Sequence, residues 1–400
     1  MAADAEPDAS GTSPRILTGA ALFASWLSGL NCRAPLVATG ALLPLVMPAL
    51  RLSPVTASFF TALPLLVLAA LSLPGGLLTD SVGPRAALFG TQLVIAGGGA
   101  LRALARGPAT FFLAIAILGS GIGLAQPALV DAARRISGRR ATVATAVYSN
   151  GLVLGGLIGS ALSAPVLLPL AHGSWRDVFL LWGILGAVAG LLWLAIPLGS
   201  GRPRARPAQP RAAFPRIPGL SLLIAVFCCE SAIFYGLVTW LPDFYVARGW
   251  TLSAAAVPVS VLSAGSVLGV LLTPTLVRFG GGFRGALLWT GLFDVLALAA
   301  LLAAPGLGDL SAAIVGAGTA IALTVGMAAP AVLAEHGDTG RVSGLLLAVG
   351  YGVAVLGPIG IGALRDVSGR FGPGFALLTG LAVLWTLAAF GLPRWSVTGT

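Results

Sequence analysis

Arg33 and Glu230 are the residues of this 400-residue sequence best placed to do chemistry, because each is a lone charge inside a long apolar run. A guanidinium at the centre of a membrane helix costs about 2.5–3.5 kcal/mol on insertion scales, so it must be paired or face a wet cavity. Its planar fork of donors suits a carboxylate-like or linear anion. Arg33 therefore has two readings, an anion-binding group or one half of an ion pair locking two helices. Glu230 reads as a proton-coupling carboxylate or as the static partner of Arg33. The two could face each other across a central cavity, with substrate or proton binding changing their pairing. Asn31, Gln126, Tyr148, Asn150, Tyr235, Trp240 and Tyr351 are the other polar or aromatic groups at span depth, counted here as substrate-binding candidates. For each, hydrogen bonding to a neighbouring helix or anchoring at an interface is the competing role. Asp294 also lies mid-run, where a structural partner on another helix is expected.

Other motif-like features point away from enzymes. The stretch 280–285, GGGFRG, fits a dinucleotide-binding spacing but sits between apolar runs with no strand–turn–helix context. There is no P-loop and no nucleophile–base set. His172 and His336 sit in separate gaps between apolar runs and make no metal-ligand cluster in sequence, so neither a metal nor a cofactor is expected. Cys32, Cys228 and Cys229 fall in apolar runs with no zinc or disulfide spacing and read as packing residues. The formal charge of +10 invites a nucleic-acid reading. The basic residues, all arginine, instead concentrate in short gaps between apolar runs, where membrane topology accounts for them.

The elements that position these residues follow from composition. The chain is 57% hydrophobic and 9% charged, against roughly 25% charged in a soluble domain, so lipid must cover its outside. At about 20 residues per span, twelve helices are expected: 15–45, 54–79, 86–106, 109–133, 141–169, 177–198, 218–246, 252–276, 285–304, 310–334, 342–364 and 374–393. Continuous apolar runs exclude a barrel, which would alternate with period two. Pro35, Pro44 and Pro48 predict a kinked or broken outer end for the first helix. Residues 1–14 read as a disordered cytoplasmic tail without the basic segment of a signal peptide, and 199–217, rich in Pro and Arg, as a cytoplasmic linker between halves 15–198 and 218–394. Alternate gaps hold most of the arginines, including Arg85, Arg134, Arg135, Arg139, Arg140 and those of the linker. Both termini are thus expected inside. The halves repeat. An offset of 201 pairs Arg140 with Arg341 and Gly156 with Gly357, and an offset of 198 pairs Pro44 with Pro242 and sets Glu230 against Cys32. Parallel six-helix repeats build transporters with the substrate site between the halves.

Several stretches resemble the major facilitator superfamily. Residues 76–85, GLLTDSVGPR, are similar to its cytoplasmic G-x-x-x-D-R/K-x-G-R/K-R/K signature, with Ser81 and Pro84 where basic residues are usual. The resemblance implies a cytoplasmic gate of Gly76, Asp80, Gly83 and Arg85, with the glycines allowing close helix approach and Asp80 and Arg85 forming ion pairs. Asp131 would join it through Arg134 or Arg135. Within the superfamily, 29–33 (GLNCR), 61–64 (TALP), 121–126 (GIGLAQ) and 239–245 (TWLPDFY) look like the cyanate porter family, which includes a nitroimidazole exporter type. The implied fold is an all-α membrane protein of twelve transmembrane helices in two pseudo-symmetric six-helix bundles. The implied function is alternating-access transport of a small solute across the inner membrane by a monomer, without a cofactor. A small anion such as cyanate is the first substrate expectation, with proton coupling through Glu230. Export of neutral or aromatic compounds is the alternative, and a non-transporting receptor or assembly factor is the alternative of another class.

Overall fold

The computed structural model describes residues 14–137, 141–196, 198, 217–333 and 339–395. The expected tail and linker lie outside these residues, apart from their edges, as do Arg139, Arg140 and His336. Among the described residues the chain is helical throughout, without a strand. Hydrocarbon offers no hydrogen bonds, so a spanning segment must satisfy its backbone internally, and only a helix does this within one segment.

In the first half the helices are α1 (Pro14–Ala41), α2 (Leu43–Ala49), α3 (Pro54–Val82), α4 (Pro84–Leu104), α5 (Pro108–Ser137), α6 (Ala141–Leu162), α7 (Leu168–Leu170) and α8 (Trp175–Leu192). In the second they are α9 (Leu220–Val246), α10 (Leu252–Ala255), α11 (Val257–Phe279), α12 (Gly282–Ala303), α13 (Gly308–Leu333), α14 (Thr339–Ala354), α15 (Leu356–Ser368) and α16 (Gly372–Gly391). Eleven stretches are long and apolar enough to cross a membrane, and the bent pair α1–α2 supplies a twelfth. The expected break in the first span is a 62° bend beside Pro44, which occupies the first turn of α2. Three other spans predicted as continuous are interrupted: by a π-helical turn at Ser163–Leu167, at Ala256, and at Val355. Proline also starts helices. Pro54, Pro84 and Pro108 open α3, α4 and α5, where the missing N–H costs nothing. Gly83, with φ of 81°, makes the sharp turn that links α3 to α4.

Within the first half α1 packs on α6, α4 on α5 and α8, and α3 on α5; within the second α9 packs on α14, α15 and α16, and α11 on α13. Glycine sets these distances. A Cβ on Gly159 would lie 2.6 Å from the Ala34 carbonyl oxygen, and one on Gly357 would collide with that of Ala232. Both members of these contacts are 198 residues apart, so the same helix seam recurs in each half. The sequence offset of 201 had matched Gly357 with Gly156, one turn away from its structural counterpart.

Gly357 and Gly352 share this region, but a Cβ on Gly352 would meet nothing within 4 Å. Gly352→Ala should therefore be neutral or raise stability by about 0.5–1 kcal/mol through helix propensity. Gly357→Ala should lower it by about 1–3 kcal/mol through overpacking. Thermal unfolding of the detergent-solubilised variants measures both; equal shifts would refute the seam.

Candidate functional site

The end of the bundle at which α1 and α9 begin is its terminal end, and the opposite is its far end. Arg33 lies on α1, half-buried between the two halves. Its guanidinium carbon is 5.3 Å from the centre of the Phe234 ring and 5.2 Å from that of Tyr235, both on α9. The Tyr235 and Tyr351 hydroxyls are within its hydrogen-bonding reach. Tyr235 and Tyr351 pack edge to face with centroids 6.4 Å apart. The first half contributes Gly156 on α6, which lies against the Arg33 stem, a built Cβ there making ordinary contact with the Arg33 Cγ at 3.7 Å. Glu230 sits one turn before Phe234 on α9, 3% exposed, and its Oε1 accepts from the Ser231 hydroxyl at 2.6 Å. Arg33 and Glu230 influence each other electrostatically but form no ion pair. Among the described residues Arg33 therefore has no ion-pair partner, which the locked-pair reading would require. The structure holds a cation faced by aromatic rings and hydroxyls, with a carboxylate nearby but out of contact.

On the far-end side of this group the halves are closed. Leu36, Ala62 and Leu65 of the first half form a small apolar cluster with Tyr235, Ala354 and Val355 of the second. Beyond it, Thr239 Oγ1 donates to Thr61 Oγ1 at 2.8 Å, and the Val55 N–H donates to Asp366 Oδ2 at 3.0 Å. Arg365 bridges to Asp243 and covers the Trp240 and Phe371 rings.

Other sequence candidates lie elsewhere. Asn31 is fully buried and donates to Gln92 Oε1 at 2.7 Å, since two residues along a helix turn it to the side away from Arg33. Trp240 is fully buried at the far end and donates to the Pro358 carbonyl at 2.9 Å, tying α9 to α15. Tyr148 belongs to the apolar core of the first half, beside Cys32 and Leu129. Asn150 accepts from Trp26 Nε1 at 3.1 Å. Trp26 lies on the same stripe of α1 as Arg33, two turns towards the terminal end, so this pair flanks the approach to the site. Gln126 is half-buried on α5 and makes no hydrogen bond among the described residues. Phe234 and Gly156 were not singled out as site residues. The first could have been found from its place beside Tyr235, the second from its height opposite Arg33.

The gate residues are not engaged with one another. Arg85 donates to the Trp193 carbonyl at 2.9 Å and to that of Leu194, capping the end of α8, and the expected Asp80–Arg85 pair is not formed. Asp80 is exposed. Gly76 has open space on its Cβ side; its neighbour Gly75 makes the close approach, 2.8 Å from a built Cβ to the Leu124 Cα. Asp131 does pair with Arg135, at 3.0 Å along one helix. Arg102, inside the predicted span 86–106, is fully buried in α4, donating to the Pro35 carbonyl (2.9 Å) and Thr39 Oγ1 (2.8 Å) and covering Phe179 at 4.3 Å. Asp294, expected to have a structural partner, is buried with neither carboxylate oxygen hydrogen-bonded among the described residues.

The family model of the Major Facilitator Superfamily matches residues 21–358. The cyanate transport protein CynX of Escherichia coli (strain K12) is 27% identical over 356 residues, covering 86% of this chain and 90% of that protein. The 2-nitroimidazole transporter of the same organism is 26% identical over 362 residues, covering 88% and 90%. Among solved structures, a mutant of the nucleoside transporter NupG superposes with a TM-score of 0.76 at 14% identity, covering 94% of this chain and 99% of that one.

The Thr61–Thr239 contact gives a direct test of far-end closure. In a background lacking Cys32, Cys228 and Cys229, Thr61→Cys with Thr239→Cys should oxidise readily. After cleavage at a protease site engineered into 199–216, the halves should then stay joined on a non-reducing gel and separate with reductant. Failure to cross-link would show that these helix faces do not meet.

Proposed function

This chain belongs to the Major Facilitator Superfamily, and we propose that it carries a small anion across the inner membrane by alternating access, with Arg33 as the group that holds it. The observation that carries this reading is a half-buried arginine between the halves with no carboxylate in contact among the described residues. A guanidinium in a membrane interior is paired, bound to carbonyls as Arg102 is, or faces a wet cavity. Arg33 has no carbonyl or carboxylate partner among the described residues, and its fork of donors suits an anion. The Tyr235 and Tyr351 hydroxyls supply further donors to a bound anion, so that both halves hold it at once. The arginine distribution supports cytoplasmic termini. With that orientation the terminal end faces the cytoplasm and the closed far end the outside. Residues 15–198 and 218–394 are then the moving bodies, joined by 199–217, in a monomer. In the opposite state the terminal end closes, bringing Gly76, Asp80 and Arg85 to the second half. Glu230 is the proton-coupling candidate: it lies on the opposite half from Arg33, close enough to sense whether the cation is occupied. The relatives named for cyanate and for 2-nitroimidazole each support one substrate class.

A second reading, transport of a neutral aromatic solute, is favoured by the rings of Phe234, Tyr235 and Tyr351 grouped at the site. The two separate on thermal stabilisation of the purified protein by cyanate, other small anions and nitroaromatics. A ligand at a hundredfold excess over its Kd stabilises by about 2.7 kcal/mol. An anion should act on wild type and lose at least tenfold in affinity with Arg33→Ala. Stabilisation only by nitroaromatics, retained by Arg33→Ala, would transfer the function to the second reading. Once a substrate is found, Glu230→Gln should still exchange it across proteoliposomes while losing the dependence of net uptake on a pH gradient. Unchanged pH dependence would remove Glu230 from coupling.

A further inference from the structure

On the outer surface of the second half a groove of about 700 Å³ runs between α11, α12 and α13. Its rim is apolar and turned outward: Leu272 is 53% exposed, Phe279 76%, Trp289 50% and Phe293 51%. Exposed side chains of this kind on spanning helices face lipid, so the groove opens sideways into the bilayer. Trp289 and Phe293 stack along one wall with ring centroids 6.3 Å apart.

Asp294 forms part of the groove's inner wall. It is completely buried, and neither carboxylate oxygen has a hydrogen-bond partner among the described residues. It fits against α13 at Gly318, where a built Cβ would collide with Oδ1. The nearest hydroxyl on its own helix is not free to donate. Thr290, one turn earlier, spends it on the carbonyls of α12, at 2.9 Å to Ala286 and 3.3 Å to Leu287. An unpartnered carboxylate in an apolar setting is expensive, and here it adjoins an outward-opening space of ligand size.

We propose that this groove binds lipophilic amines from the bilayer, with the ammonium taken by Asp294 and the apolar body by the wall of Trp289 and Phe293. An anion would meet the carboxylate with like charge, and a neutral hydrocarbon would leave it unpartnered. An ammonium supplies charge and donors together, and exposed aromatic faces add cation–π attraction. Phospholipid headgroups are excluded by depth. Asp294 lies twelve residues from the start of α12 and nine from its end, about 18 Å and 14 Å along the axis at 1.5 Å per residue.

The experiment uses decylamine, with decanol as the uncharged analogue, added to the purified protein in nanodiscs. Binding is read by thermal stabilisation and tryptophan fluorescence. Decylamine should bind saturably to wild type, and Asp294→Asn should weaken it at least tenfold while leaving decanol unchanged. Ala317→Leu, which narrows the groove without altering the carboxylate, should weaken both. Glu230→Gln and Arg33→Ala should bind decylamine as wild type does. The fluorescence change should disappear in Trp289→Phe. The proposal is overturned if Asp294→Asn, folded by its own melting transition, binds decylamine like wild type. It is equally overturned if Glu230→Gln abolishes binding, which would place the amine at the central site, or if decanol matches decylamine in wild type.

Discussion

A polar group inside this protein has no water to fall back on, and that constraint organises the rest of the structure. It dictates helices, because an unsatisfied backbone group in hydrocarbon costs several kcal/mol. It sends the serine and threonine hydroxyls back to carbonyls on their own helices, as at Ser25 to Ala21 and Thr319 to Val315. It pairs the Asn31 and Gln92 amides across α1 and α4, and leads Arg102 to the carbonyl and hydroxyl of the Pro35–Thr39 turn. The pairing is incomplete: among the described residues, buried polar atoms on Asn31, Arg102, Ser263, Arg284 and Asp294 have no hydrogen-bond partner. Arg33 keeps its charge without a carboxylate in contact, and Asp294 keeps two bare oxygens, among the described residues. These are the two positions on which the proposed anion site and the proposed amine groove rest.

Much of this architecture was legible in the sequence, because the length and continuity of an apolar run report directly on a span. The break beside Pro44 followed from proline chemistry, and the depth of Arg33 and Glu230 from their distance along their runs. What could not be read was azimuth. A helix that is apolar on every side gives no sign of which face meets lipid, so Asn31 and Arg33 looked like companions although they point to opposite sides of α1. Tyr235 and Trp240 looked equally suited to a substrate, yet one lies at the cationic site and the other is locked under Arg365. The burial of Arg102 could not be read either; its acceptors lie 67 and 63 residues away, and nothing local announces them. The gate residues illustrate a different limit. A motif describes contacts across all the states of a protein, and one structure shows those of one state.

The glycine seams carry a mechanical meaning. Gly151, Gly155 and Gly159 bring α6 against the backbone of α1, so Arg33 travels with α6 and cannot swing independently of it. Tyr235 and Glu230 are bound in the same way to α15 through Gly357 and Ala232. On the proposed alternating-access reading the candidate site is divided between the two halves, one jaw holding the cation and the other the hydroxyls and the acid. Any solute gripped by both jaws is a strut between two stiff levers. Tightening that grip must also slow the levers' parting, so selection on such a site works on a single trade-off between capture and turnover.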